Sequence, residues 1–414
     1  MRYVAGNCLW TAQTTVPKQY PYLTTDIQTE VVIIGGGIAG AITAYQFAKA
    51  GIQTVLVERT IIGYLSTRAS TSILQYEIDT NMVQLQSMYG IDTAVRSFQL
   101  CFDAVSELEQ IIQTLDDDCE FSRSPCLYYS PKKNDVRWLE REFNLRRKHG
   151  FPVEWVQSEE NNERFSFPIA GGILSTGGAG TVNPYRLTHA LLREAEKAGV
   201  QIFENTDIDK IYDEPSNGQT KVTTQHGFNI TAQKIVICTG YEAKNLIRGQ
   251  RLGSLARTFN IVTKPYSEIP GWYDRCIIRD TDEPYTYVRG TKDQRIIIGG
   301  EDVNAGGVSS KISNLDDEDP LVEQQYSRLL TKLQEFFPHL EVQHSDIEFQ
   351  YHALFNNTKD GLPFIGQVDY YPNCYFNLGY GSNGILSVVT GSKLLLDLYQ
   401  GTKSPDLALF DFQR

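Results

Sequence analysis

The residues with the clearest chemical task are three glycines in G-x-G-x-x-G spacing, Gly35, Gly37 and Gly40, followed by the acid Glu58. That set suits a dinucleotide. Gly35 permits a tight turn, Gly37 lets backbone approach a pyrophosphate, and Gly40 lets a helix pack close on a strand. Unpaired N–H groups at the N-terminus of the helix that follows, with Ile38 and Ala39 in the turn before it, face the phosphates. A carboxylate at Glu58 accepts the ribose hydroxyls of an adenosine. A glycine-rich turn in an ordinary βαβ unit is the bland alternative, and it gives Glu58 and the three glycines no task.

The elements around these residues have the required pattern. The apolar, β-branched run from Val31 to Ile34 predicts a strand buried on both faces. Ala41 to Ala50 predicts a helix that Gly51 stops, and Gln53 to Val57 a second strand ending in Glu58. Ser66 to Ser72 is rich in hydroxyls and holds one arginine. Thr67, Arg68, Ala69, Ser70 and Thr71 are therefore candidates for diphosphate contacts, with a solvated loop or helix cap as the competing reading. The strand Ile235–Cys238 runs into Thr239-Gly240, a second glycine turn at a strand end. The strand Cys374–Leu378 runs into Gly379-Tyr-Gly-Ser-Asn-Gly384 and a helix from Ile385 to Tyr399, another helix N-terminus facing a ligand.

Elsewhere the periodicity predicts a helix over Asn81–Leu115 and a charged helix over 135–149. A further helix opens at Pro184, and strands cover 126–130 and 153–156. Residues 208–231 read as a meander. Strands over 259–264, 277–279, 285–289 and 295–298 make a second, mostly antiparallel sheet, followed by a helix over 321–337 and a strand over 347–352. The first 29 residues read as an arm pinned by Trp10, Tyr20 and Tyr22. The class is α/β: a Rossmann-like unit plus an α+β part.

Composition narrows the function. The chain has 414 residues, 41% hydrophobic and 21% charged, with a net charge of −12. That charge opposes nucleic acid and anionic membrane as partners. The seven cysteines are scattered without a C-x-x-C pair, and the six histidines lack metal-ligand spacing, so no metal is expected. No window reaches the ~18 apolar residues of a membrane span. The first ten residues lack a signal peptide's apolar core. The expected location is the cytoplasm.

Four of these segments together resemble the FAD-dependent D-amino-acid oxidase (DAO) superfamily, over nearly the whole chain. They are the glycine motif with Glu58, Asn183-Pro184 opening a helix before 199–203, Ile235-Val-Ile-Cys-Thr-Gly240, and Thr358-Lys-Asp-Gly-Leu-Pro-Phe-Ile-Gly366 with Gly379–Gly384. The arm Cys8-Leu-Trp10 before Tyr20-Pro-Tyr-Leu23 is similar to the γ-glutamylputrescine oxidase-like branch, beside the glycine oxidases. The resemblance implies a discontinuous FAD-binding domain (1–80, 150–250 and 345–414) and a substrate domain (81–149 and 251–344). It also implies that Gly35, Gly37, Ile38, Ala39 and Gly40 hold diphosphate, with Thr67–Thr71 nearby. Glu58 and Arg59 would hold the adenosine ribose, and Thr239 and Gly240 would close on that half. Gly366, Gly379, Tyr380, Gly381, Ser382, Asn383, Gly384 and Ile385 would surround the flavin.

Three positions depart from the family pattern. Ala353 stands where relatives with covalent flavin carry cysteine, which implies a non-covalent FAD. Leu354–Thr358 lacks the arginine that grips a substrate carboxylate. Arg295–Ile298 offers isoleucine where sarcosine oxidases carry a lysine. The family reaction passes hydride from a C–H beside an amine nitrogen to flavin. The candidate catalytic residues are Arg289 as substrate-anion anchor, His352 as the ionisable group near the flavin, and Tyr287 as pocket wall. A surface arginine and a core histidine compete with the first two. The expected substrate is a small amine or amino acid. An NAD-dependent dehydrogenase and a non-catalytic FAD-stabilised binding or assembly protein are the alternatives.

Overall fold

Val31–Ile34 forms the centre of a six-stranded sheet in the computed structural model, which describes residues 2–157, 163–214, 219–248, 252–307 and 310–414. The strand order is 201–203, 54–57, 31–34, 234–237, 371–378 and 364–368. The first five are parallel, and the last pairs antiparallel as a hairpin. Alternation along the strand sets two layers. Val31 and Ile33 pack with the helices Ile38–Lys49, Pro184–Lys197 and Gly384–Tyr399. Val32 faces the other way, onto the four-stranded sheet that contains Val222 and Ile230. Each layer buries an apolar face that neither could leave in water.

The second large sheet has nine strands, in the order 4–6, 347–357, 254–263, 296–304, 286–290, 277–280, 126–130, 171–175 and 153–156. It is antiparallel except where 277–280 runs parallel to 126–130. Period-two alternation again divides its residues. Phe259, Ile261, Ile278 and Val288 pack under the helix Pro320–Phe336. Thr258, Asn260, Arg279, Tyr287 and Arg289 alternate with them, which turns them toward the nucleotide unit.

Several sequence expectations shift. The helix over 81–115 is two helices, Met82–Tyr89 and Ile91–Gln113, broken at Gly90, whose φ of 87° no helix accepts. The domain limits do not follow the sheets. Strands 4–6, 153–156, 171–175 and 347–357 belong to the nine-stranded sheet rather than the nucleotide unit. The helix Ile91–Gln113 shares the core of Ile38–Lys49 and Gly384–Tyr399. The limit at 250/251 lies outside the described residues. In the arm, Trp10 and Tyr20 are buried but Tyr22 is exposed. The triplet Asp116–Asp118 is tied into ion pairs with Arg186, Arg193 and Lys292. All seven cysteines are free thiols, and no helix among the described residues is long and apolar enough to cross a membrane.

Candidate active site

An elongated crevice runs from Glu58 past the glycine turn to the second glycine loop. Its first part, about 490 Å³, is lined by Gly35, Gly37, Ile38, Ala39, Glu58, Arg59, Thr67, Thr239, Gly240, Gly379 and Tyr380. A second chamber of about 240 Å³ continues it and is lined by Ala69, Ser70, Thr71, Gly381, Ser382, Gly384 and Ile385. Ile38, Ala39, Ser66, Thr67, Tyr241 and Gly379 line both parts. Three glycine turns far apart in the chain therefore border one continuous space.

The turn is built for close approach. A Cβ on Gly40 would stand 1.8 Å from the carbonyl oxygen of Gly35, so the helix sits against the strand only because this residue is glycine. Gly35 has a φ of 112°. A Cβ on Gly37 would meet little but Thr67 Oγ1, at 3.1 Å, and would instead narrow the crevice. The helix Ile38–Lys49 has no acidic residue in its first turn, so its positive end is left for an anion. Thr67 Oγ1 accepts from Ile38 N–H at 3.0 Å. The helix Gly384–Tyr399 likewise starts with no acid and with no side-chain cap from Asn383.

Glu58 is buried and borders the far end. Its carboxylate accepts Gly36 N–H at 2.8 Å, Thr60 N–H at 2.9 Å and the Thr60 hydroxyl at 2.8 Å. Arg59 donates to Glu242 at 2.7 Å, and the hydroxyl of Tyr3 donates to the same carboxylate. The N-terminal arm thus reaches the crevice, a contact that no motif announces. These features fit an adenine dinucleotide: a carboxylate at the ribose end, bare backbone in the middle, and a helix start at each of two bends.

Other residues singled out in the sequence lie off the crevice lining. Gly40 acts through packing, as described. Arg68 lies 4.2 Å over the ring of Tyr64. Asn383 donates to the carbonyl of Glu77 at 2.9 Å. Gly366 lies in strand 364–368 against Leu407.

Two of the three catalytic candidates are placed elsewhere. Arg289 is buried and donates to the carbonyls of Thr71 (2.7 Å), Ser72 (3.1 Å) and Val182 (3.1 Å). It shares a strand face with Tyr287 but lies two residues further along, beneath the 71–72 loop instead of in the chamber. Burial, only partly offset by Tyr351 and the carboxylates of Glu120 and Asp293, lowers its pKa to about 10. His352 is also buried. Arg257 can only donate, so His352 Nδ1 accepts at 2.7 Å, and Nε2 donates to Asp317 at 3.1 Å. Burial, reinforced by the Arg257 charge, lowers its pKa to about 4, so it is a neutral core histidine near pH 7.

Tyr287 does wall the chamber, and the structure adds Arg279, Tyr285 and Thr258. The Tyr287 hydroxyl donates to Asn260 Oδ1 at 3.0 Å. Arg279 lies opposite Tyr287 in the strand register, stacks 4.9 Å from the Tyr285 ring, and pairs with Asp79 at 3.4 Å. Asp79 in turn accepts Ser382 N–H at 3.0 Å and its hydroxyl at 2.6 Å. Arg279 was findable: Ile277-Ile-Arg279 is a short strand whose alternation turns the arginine away from the apolar face. Ala353 borders the chamber, and the cysteine on the crevice, Cys238, is at the nucleotide end. Among the described residues no cysteine lines the chamber.

A parallel Rossmann-like unit joined to an antiparallel substrate wall, with a crevice between them, defines a flavin-dependent oxidoreductase fold. Residues 30–398 match the family of FAD dependent oxidoreductases called DAO, and the chain belongs to that family. It is an FAD-dependent enzyme. It is 23% identical to γ-glutamylputrescine oxidoreductase of Escherichia coli, over 92% of this chain and 85% of that protein. It is also 23% identical to glycine oxidase of Geobacillus kaustophilus, over 93% of this chain and 97% of that one. A crystal structure of glycine oxidase from Geobacillus kaustophilus superposes with a TM-score of 0.76 at 20% identity, covering 94% of this chain and 99% of that chain.

Proposed function

We propose that this protein oxidises the C–N bond of a small amine or amino acid. One observation carries the reading. The chamber that continues the cofactor crevice is walled by hydroxyl side chains able to receive an amine, Thr258, Tyr285 and Tyr287, beside Arg279, whose charge is paired with Asp79. FAD supplies the acceptor for a hydride leaving the carbon next to nitrogen. The chain's own residues orient the partners and exclude water. Gly35, Gly37, Ile38 and Ala39 offer backbone to the diphosphate, and Glu58 takes the ribose hydroxyls. The N–H groups of Gly381 and Ser382 are taken by Asn356 and Asp79, so the dipoles that would meet negative charge on the reduced cofactor are those of Gly384 and Ile385 at the helix start. Leu354, Ile385 and Val388 give the chamber apolar walls. The imine that leaves hydrolyses to a carbonyl compound. Ala353 and the cysteine-free chamber support a flavin held without a covalent bond.

The relatives' names point to the same class, since γ-glutamylputrescine and glycine are both small amines. The test is anaerobic mixing of the flavin-loaded protein with a panel of amines, N-methyl amino acids and D-amino acids. At least one should bleach the flavin band, and hydrogen peroxide on readmitting air would mark an oxidase. Failure of the whole panel with an intact flavin spectrum would favour a non-catalytic FAD-stabilised protein.

A further inference from the structure

Part of the crevice wall comes from outside the glycine motifs. Strand 4–6 lies at the edge of the nine-stranded sheet, with Val4, Ala5 and Gly6 opposite Ala353, His352 and Tyr351. Just before it, the carbonyl of Tyr3 accepts Leu354 N–H at 2.9 Å. The Tyr3 side chain lines the crevice beside Arg59, Tyr241 and Glu242. Three rings follow one another along this wall. Tyr3 stacks on Tyr241 at 6.2 Å and 21°, and Tyr241 on Tyr380 at 6.5 Å and 25°. All three line the crevice. A row of near-parallel rings suits a ligand that is itself flat and aromatic.

Polar contacts hold the outermost ring in place. The Tyr3 hydroxyl donates to Glu242, which also accepts from Arg59 at 2.7 Å. The Arg59 guanidinium lies 5.6 Å from the centre of the Tyr3 ring. Arg59 follows Glu58, so Tyr3 stands at the adenosine end of the crevice and not at the chamber. The arm meets the lining twice more. Trp10 Nε1 donates to the carbonyl of Ser70 at 2.7 Å, and Leu23 N–H donates to Thr206 Oγ1 at 3.1 Å. Ser70 borders the chamber and Thr206 the crevice. The arm therefore joins the substrate sheet to both halves of the cofactor site. A three-residue edge strand is marginal by itself, so contacts made through Tyr3 weigh heavily in its docking.

We infer that Tyr3 is a cofactor-holding residue: its ring closes the crevice over the adenosine half of FAD, and docking of residues 2–6 and binding of FAD strengthen each other. Two binding events that share a contact are coupled equally in both directions. Strand 4–6 opens more slowly when Tyr3 is engaged by the cofactor, and loss of the ring speeds FAD release. Such a clasp retains a flavin that no covalent bond holds.

The experiment has two readouts that need no substrate. FAD release from holoenzyme is followed by the rise in flavin fluorescence on dilution, in wild type, Tyr3→Ala and Tyr3→Phe. Amide exchange of residues 4–6 and of Leu354 is measured by mass spectrometry in wild type, with and without FAD. Tyr3→Ala should release FAD at least about tenfold faster, the worth of one buried aromatic side chain expressed in the off-rate. Tyr3→Phe should fall between, because the ring stays and the bond to Glu242 goes. With FAD bound, exchange over residues 4–6 and at Leu354 should slow by about tenfold through local closure. Strand 153–156, at the opposite edge of the same sheet, should change by less than about twofold. Should Tyr3→Ala fail to fold, Tyr3→Phe and the wild-type exchange comparison decide the matter. Release at the wild-type rate in the variants that fold, or arm amides that exchange equally with and without FAD, overturns the inference.

Discussion

The guanidinium of Arg279 lies 3.4 Å from the carboxylate of Asp79, and that carboxylate also holds Ser382 of the second glycine loop. One acid therefore ties the substrate wall to the loop beside the flavin. Asp79→Asn should loosen both at once. Breaking a buried pair costs about 3–5 kcal/mol, and this pair is partly exposed, so a loss of about 2–3 kcal/mol is expected. The holoenzyme's melting temperature and its FAD affinity should fall together. A drop in melting temperature with unchanged FAD affinity would show that the loop does not depend on Asp79.

Gly37 and Gly40 should fail differently. Gly40→Ala drives a Cβ into the Gly35 carbonyl, and overpacking of this kind costs about 1–3 kcal/mol. That variant should lose stability with or without cofactor. Gly37→Ala meets only Thr67 Oγ1 in the protein itself, so its apoprotein should melt near wild type while FAD affinity collapses. Apoprotein melting and FAD titration separate the two. Equal apoprotein losses would contradict the assignment of Gly37 to the cofactor.

Arg289 and His352 should behave as structural groups. Arg289→Met leaves three buried carbonyls without their donor, at about 1–3 kcal/mol for each group left unsatisfied. Its effect should appear in melting temperature, with KM for the amine within about twofold of wild type. The same pattern is expected for His352→Gln. A large rise in KM at unchanged stability would return Arg289 to the substrate site.

The Asp302 carboxyl has a pKa of about 7 in the folded chain against an ordinary 3.8. Between those values the folded protein holds a proton that the unfolded chain has lost, so stability from this group is fully present below the unfolded pKa and is lost as pH rises through 7. Asp302→Asn removes that slope. Its melting temperature should gain on wild type between about pH 5 and about pH 8. A constant difference across the range would mean that Asp302 is not perturbed.

The nucleotide half was legible because its residues act locally. A strand, a tight turn and a helix start are each set by near neighbours, so Gly35, Gly37 and Glu58 declare themselves by spacing. Gly240 and Gly381 follow strands in the same way. The substrate wall was not legible to that extent. Arg279 and Arg289 both sit on short strands with the same alternation, and only the packing of the 71–72 loop decides which one reaches the chamber. Sheet membership was hidden for a related reason. Strand 4–6 pairs with residues 351–353, and strand 347–357 pairs with 254–263, so neither is placed by its chain neighbours.

The central claim is that Gly35, Gly240 and Gly381 clasp one FAD molecule in a single crevice. Its most direct test is titration of the deflavinated protein with FAD, followed by flavin fluorescence and then acid precipitation. One FAD per chain should bind, resist competition by NADH, and be released intact into the acid supernatant. Absence of FAD binding, or tight binding of NADH in its place, would contradict it.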